Sequence, residues 1–265
     1  MTIYVDLLRH RELFGSLFRR DLRAKYKGSI LGVLWSLAHP VLLMLVYLVV
    51  FSFLLKVQAA DYDHYWLFLL AGLPVWVFFA TSLQSASRSL VENANLIRKV
   101  RFPRQLVPLS MVATQLVSFG VMLVVVVAFS LVYVPEARDT VWLALPLAVL
   151  VVCLVSGLAL AVASLNALYR DVEHLVAALL LPWFFLTPVL YSLENVPGGG
   201  NPLLVNLIHY GNFLTPAVES VRDPVFFGRL PGLVDVTYLA VAAAVSLVVG
   251  AAVFRRVDDR VAVEV

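Results

Sequence analysis

From Arg19 to Lys56 the chain reads RRDLRAKYKGSILGVLWSLAHPVLLMLVYLVVFSFLLK, a basic segment that turns directly into the apolar run Ile30–Leu55. That run is 26 residues long, and His39 is its one ionisable group. About 20 apolar residues at roughly 1.5 Å rise each cross a bilayer core, so this run crosses with room for tilt. Positive charge at the foot of a spanning helix also fixes which end stays inside. The side on which Arg19 to Lys27 lie therefore sets the topology of everything that follows.

The rest of the chain agrees with a membrane-embedded fold. It is 62% hydrophobic and 14% charged, where soluble domains carry charge on about a quarter of their residues. Five more apolar runs, near 64–87, 105–134, 141–165, 175–192 and 234–254, are long enough to span. Of the 20 lysines and arginines, 16 fall in the segments 1–29, 88–104, 166–174 and 255–265. Those segments alternate with the ones on the opposite side, so the positive-inside rule places both termini in the cytoplasm. The expectation is an all-α integral membrane protein with six transmembrane helices. Residues 3–18 read as an amphipathic interface helix, with Ile3, Tyr4, Leu7, Leu8, Phe14, Leu17 and Phe18 on one half of the wheel. Asp6 and Glu12 near the start argue against a cleavable signal. The lone Cys153 excludes an intrachain disulfide and reads as a small buried hydrophobe.

Much familiar chemistry is missing. No span carries Asp, Glu, Lys or Arg well inside its apolar run, and Asp235 stands at the edge of the last. Ion-driven transporters usually couple through such groups, so this class is disfavoured. No phosphate loop exists; Gly28 and Gly32 form a GxxxG pair at the membrane edge that reads as close helix packing. The histidines at 10, 39, 64, 174 and 209 lack metal-ligand spacing, so no metal site is expected. No catalytic residue is proposed, and no nucleic-acid partner. The patch YRDVEH (169–174) reads as a solvated turn between spans four and five.

Two connections carry more information. NANLIRKVRFPRQLVP (93–108) sets Arg98, Lys99, Arg101 and Arg104 among Leu96, Ile97, Val100 and Phe102, and Pro103 ends any helix there. Such a segment either rests on anionic headgroups, at about 1 kcal/mol per positive charge, or docks into a partner; composition leaves both open. On the outer side, 193–233 holds two apolar pieces too short to span and too apolar to float free, which fits re-entrant or interfacial helices. Thr215 and Pro216 make a good helix start, the hydroxyl capping and proline following. The aromatic residues within the spans suit either the bilayer-edge belts or a path for a sugar chain, whose apolar faces pack on rings.

RDLRAKYKGSILGVLWSLAHPVLLMLVY resembles the signature start of the type-2 ABC exporter permeases that move O-antigens, teichoic acids, capsules and related lipid-linked polysaccharides. The resemblance continues through YRDVEHLV, FFLTPVLYSLENVP, NFLTPAVESVRDPVFFGRLPG and VFRRVDDR, nearly the whole chain. It implies one ABC-2 type transmembrane domain over 1–265. Residues 1–29 would be interface helix and basic linker, 30–192 spans one to five, 193–233 the outer loop with two short re-entrant helices, 234–254 span six, and 255–265 the cytoplasmic tail. Family members pair with a second copy of themselves and with two copies of a cytoplasmic ABC ATPase, which holds the ATP and magnesium; no cofactor is expected in this chain.

The same resemblance implies residue roles. Leu96, Ile97, Arg98, Lys99, Val100, Arg101 and Phe102 would form the coupling helix on the ATPase, and Arg9, Arg11 and Glu12 the contact from the interface helix. Trp35, Tyr47, Phe51, Trp76, Phe185 and Tyr191 are channel-lining candidates. The segments 201–213 and 215–227 match the outer gate, with Asn201, Pro202, Pro216, Glu219 and Arg222 as its candidates. Arg19, Arg20, Arg23, Lys25 and Lys27 would attract the diphosphate of a lipid-diphosphate-linked glycan by Coulomb focusing, besides signalling topology. The location implied is the bacterial cytoplasmic (inner) membrane. Two other readings are an ABC-2 permease for a small lipid or drug, and a membrane-embedded lipid-sugar enzyme built on Asp61, Asp63 and His64.

Overall fold

The computed structural model describes residues 2–25, 35–47, 49–50, 64–100, 102–193 and 202–264. Every regular element among them is helical: α1 (Thr2–Arg9), α2 (Arg11–Lys25), α3 (Trp35–Tyr47), α4 (Tyr65–Glu92), α5 (Ala94–Lys99), α6 (Leu106–Tyr133), α7 (Ala144–Leu168), α8 (Asp171–Leu186), α9 (Pro202–Tyr210), α10 (Leu214–Arg222) and α11 (Leu233–Glu264). Four stretches, 65–92, 106–133, 141–168 and 233–257, are long and apolar enough to cross a bilayer. The other two expected spans stand differently. Of the first, only α3 and residues 49–50 lie within the described residues. The fifth, expected over 175–192, is α8, which begins at Asp171 and stops at Leu186; its 16 residues rise about 24 Å.

The packing has a clear centre. α4 is buried almost throughout, with Leu67, Val75, Phe79, Ala86 and Leu90 fully enclosed by α6, α7, α8 and α10. Ring pairs fill it: Phe78 stacks on Phe119 at 4.7 Å between centroids, and Trp76 tilts against Phe184 at 5.3 Å. By contrast α6, α8 and α11 leave Val124, Leu179, Val241, Val245 and Val248 exposed, which suits surfaces that meet lipid.

In a bilayer, apolar side chains gain little by leaving lipid for one another, so helices associate where small residues let backbones approach. The most extensive pairing, α7 along α11, is built that way. A Cβ on Gly157 would stand 2.3 Å from the Ser246 backbone, and one on Gly250 would stand 2.0 Å from the Gly157 carbonyl oxygen. The Ser246 hydroxyl donates to the Leu154 carbonyl at 2.6 Å, adding a polar tie inside the contact.

Several local expectations need correction. The amphipathic helix expected over 3–18 is two helices that turn at His10, and the second runs on through Arg19, Arg20 and Arg23 to Lys25. The basic segment is thus helix rather than linker. The patch expected as a turn at 169–174 opens α8 instead: Asp171 and Glu173 occupy its first turn, favourable at the positive end of a helix dipole. The Asn166 carboxamide accepts from the Glu173 N–H at 2.8 Å. At α10 the expected cap is displaced by a few residues. The Asn212 carboxamide accepts from the Leu214 N–H at 3.2 Å, whereas the Thr215 hydroxyl donates to the Ile208 carbonyl. α10 then runs into a π turn, Asp223–Phe227, ended by Gly228 at φ +61°. A side chain there would meet the Glu136 backbone at 2.6 Å, so glycine is required twice over.

Gly250→Val and Gly157→Leu should each force α7 and α11 apart, costing about 1–3 kcal/mol. Thermal unfolding of the detergent-purified protein reads this as a lowered midpoint. Gly120→Ala, with nothing within 4 Å of its added carbon, should leave the midpoint unchanged.

Candidate functional site

The two ends of the helical body differ in chemistry. At one end, hereafter the basic end, α1, α2 and α5 meet the ends of α4, α6 and α11 over a second apolar cluster. Ile97 of α5 is buried there with Leu90, Val107, Leu160 and Phe254, and Leu7, Phe14 and Phe102 pack against it. This decides which residues of the expected coupling helix face outward. Arg98, Lys99 and Val100 are exposed and Leu96 is half-buried. Ile97 is buried and Phe102 half-buried, both packed against this cluster. Arg101 lies outside the described residues. Arg9, Arg11 and Glu12 of α1 and α2 are exposed on the same end.

A polar junction ties these helices together. Arg20 donates to the Asp21 carboxylate at 2.7 and 2.9 Å and to the Asn93 carboxamide oxygen at 2.7 Å. Asn93 is the residue at which α4 ends and α5 begins, and its own NH2 donates to the Ser89 carbonyl at 2.8 Å. The other Asp21 oxygen accepts from the Ser110 hydroxyl of α6 at 2.8 Å. Asp21 is 7% exposed, and a carboxylate so buried is tolerated because both of its oxygens have hydrogen-bond partners. Beside it, Gln105 donates to Asp6 at 2.8 Å. Further along, Lys25 donates to Gln115, which donates to Ser85, each at 2.9 Å.

An open cavity of about 680 Å³ lies against this junction, lined by Ser16, Arg19, Arg20, Arg23 and Ala24. Three of the five cations expected to attract a diphosphate therefore share one wall. Lys25 lies instead in a neighbouring cavity of about 530 Å³ with Ser85, Arg88, Glu92 and Thr114. Lys27 falls outside the described residues.

The opposite end is built by α9, α10 and the start of α11. His209 Nε2 lies 2.7 Å from the Asp235 carboxylate, and Nδ1 lies 3.9 Å from that of Glu219. The Asp235 hydrogen bond raises the His209 pKa, while burial raises those of Glu219 and Asp223. Arg229 pairs with Asp223 at 2.8 Å. Arg222, 1% exposed, lies over the Phe68 ring at 3.9 Å and donates to the Val189 carbonyl at 3.0 Å. Room for it exists because residue 72 is glycine: an added carbon would stand 2.3 Å from the guanidinium. His209, Glu219, Arg222, Asp223 and Arg229, with Phe68, line a pocket of about 300 Å³. Of the five expected gate residues, Glu219 and Arg222 line this pocket, Pro216 is buried within α10, Pro202 opens α9, and Asn201 lies outside the described residues.

The aromatic candidates do not form one surface. Trp76 is buried between Phe79 and Phe184. Phe185 is exposed, and the Tyr191 hydroxyl donates to its carbonyl at 3.2 Å. Trp35 and Tyr47 belong to α3, and Phe51 lies outside the described residues. Sequence reasoning missed Asp21, Asn93, Ser110 and the convergence of His209 with Asp235. Their partners lie 26 to 89 positions away, beyond any local spacing pattern.

Asp21→Ala removes the centre of the junction and leaves Arg20 and Ser110 without it, a loss of about 1–3 kcal/mol. Asp21→Asn, which keeps an acceptor oxygen, should lose less. Chemical or thermal unfolding of the purified protein gives the comparison.

Comparisons with known proteins identify the family. Residues 12–226 match the model of the ABC-2 type transporter family. The chain is 32% identical over 246 residues to an O-antigen export system permease protein of Myxococcus xanthus, covering 92% of this chain and 90% of the relative. A protein described in the same words from Klebsiella pneumoniae is 30% identical over 244 residues, covering 92% and 91%. A polysialic acid transport protein of Escherichia coli is 25% identical over 248 residues, covering 92% and 93%. With the family model spanning all but the two ends, and relatives aligned over nearly their whole length, the chain belongs to the ABC-2 type transporter family and is a multi-pass membrane permease rather than an enzyme.

Proposed function

We propose that the chain is the transmembrane subunit of an ATP-driven exporter that carries a lipid-linked polysaccharide across the bacterial cytoplasmic membrane. The observation that carries this reading is the division of charge. The cores of the four spanning helices are free of Asp, Glu, Lys and Arg, so nothing in them couples to an ion gradient. The basic end, by contrast, presents Arg98 and Lys99 on a short helix anchored by Ile97. Energy enters there, from an ABC ATPase that binds the nucleotide and magnesium. The names of the relatives, O-antigen export and polysialic acid transport, indicate the cargo class.

In this reading the basic end is cytoplasmic, both termini lie inside, and α3 and α8 belong to the two remaining spans of a six-span subunit. Two copies of the chain and two ATPase subunits form the working assembly, with the channel between the copies. α9 and α10 are the outer gate helices. The wall formed by Arg19, Arg20 and Arg23 faces the cytoplasmic leaflet. Its positive potential draws the diphosphate of the lipid carrier toward the channel mouth.

Depletion of the protein should strand completed lipid-linked polymer in the cytoplasm while synthesis continues. Fractionated cells show this directly, and normal surface polymer after depletion would refute the assignment. Replacing Arg98, Lys99 and Arg101 together by glutamate reverses the charge offered to the ATPase. Export should be lost in that variant although the protein inserts normally, as measured by surface polymer and membrane-fraction immunoblots.

A further inference from the structure

We propose that His209 and Glu219 bind a divalent transition-metal ion of the zinc class, bridging α9 to α10, with Asp235 of α11 orienting the imidazole. Three separate elements bring these groups together, so that one ligand atom from each lies within 4.8 Å of the others. His209 Nε2 stands 2.7 Å from the Asp235 carboxylate. With Nε2–H donating there, Nδ1 carries the lone pair, in the carboxylate–histidine–metal order by which proteins orient a ligating imidazole.

The spacing on the other side of the ring is the informative one. Nδ1 and the nearer Glu219 oxygen are 3.9 Å apart, too far for a hydrogen bond. Two ligands at roughly 2.0–2.2 Å from one tetrahedral zinc ion stand about 3.4 Å apart, so an ion would draw these two together by about half an ångström. Neither Nδ1 nor the Glu219 carboxylate makes a hydrogen bond among the described residues, although their side chains are only 15% and 23% exposed. The two open ligand atoms thus face each other within about half an ångström of the separation that a tetrahedral ion sets, beside a pocket that leaves room for water in the other coordination positions.

The charges nearby permit a cation. Asp223 is matched by Arg229 at 2.8 Å, and Arg222 lies inward over Phe68. Against these two arginines stand Glu219, Asp223 and Asp235, so a neutral imidazole leaves the cluster with excess negative charge. A sugar suits the pocket less well. Of its two aromatic rings, Phe68 has one face covered by Arg222 at 3.9 Å and Phe227 one face by Arg229 at 4.5 Å, which reduces the surface left for stacking.

The test is zinc binding by the metal-free full-length protein in detergent, titrated against a chromogenic chelator, with cobalt as a spectroscopic substitute. The wild type should take up about one ion per chain through a few protein ligands, and zinc should raise its unfolding midpoint. Glu219→Gln and His209→Ala should each abolish both effects, and Asp235→Asn should weaken binding about 10–100-fold. His10→Ala and His174→Ala should change neither. Glu219→Gln preserves side-chain shape and keeps the test valid should His209→Ala misfold. The proposal falls if the wild type shows no saturable zinc uptake, if Glu219→Gln binds as tightly as wild type, or if the cluster responds to protons alone.

Discussion

A carboxylate withdrawn from water at the edge of a bilayer needs a hydrogen-bond partner for each oxygen, and Asp21 shows what that requirement does to a fold. Arg20 fills one of its oxygens and Ser110 the other, while the same guanidinium reaches Asn93. Three elements meet in that set of bonds: the amphipathic α2, the spanning α6 and the turn from α4 into α5. None can shift without uncovering a charge. The exposed residues of α5 are therefore mounted on the spans rather than hung from a loose loop, and Ile97 in its apolar socket holds them from the other side. A push on Arg98 or Lys99 reaches α4 and α6 through bonded contacts.

The far end applies the same physics to a smaller body. α9 and α10 have nine residues each, too short to cross a bilayer, and hydrogen bonds tie the turns around them to the core. Trp183 and Thr187 share Asn212, while Ser130 and Thr140 donate to the Val225 and Pro224 carbonyls of the π turn. Arg222 is enclosed by Phe68 and the space above Gly72.

Elements governed by hydrophobic run length were legible in the sequence. The spans at 106–133, 141–168 and 233–257 begin and end within a few residues of expectation, because the bilayer imposes a length that the apolar run must meet. Residues governed by tertiary pairing were not legible. Arg20 read as a free cation, yet it is shared between Asp21 and Asn93. Trp76 read as a lining residue, yet it fills the core. Ile97 and Phe102 could not be told from Leu96 until the apolar cluster beneath α5 showed which face was buried. Likewise His209 looked isolated because its partners, ten and 26 positions along the chain, come near only through the turns joining α9, α10 and α11.

The account rests on work entering from outside the chain, since spans without internal charge have no means of their own to drive cargo uphill. Sealed vesicles reconstituted with this permease, supplied with lipid-linked glycan, measure that dependence directly. Translocation should require both the ABC ATPase and hydrolysable ATP, and should stop when either is withheld. Accumulation against a gradient by the permease alone would contradict the account.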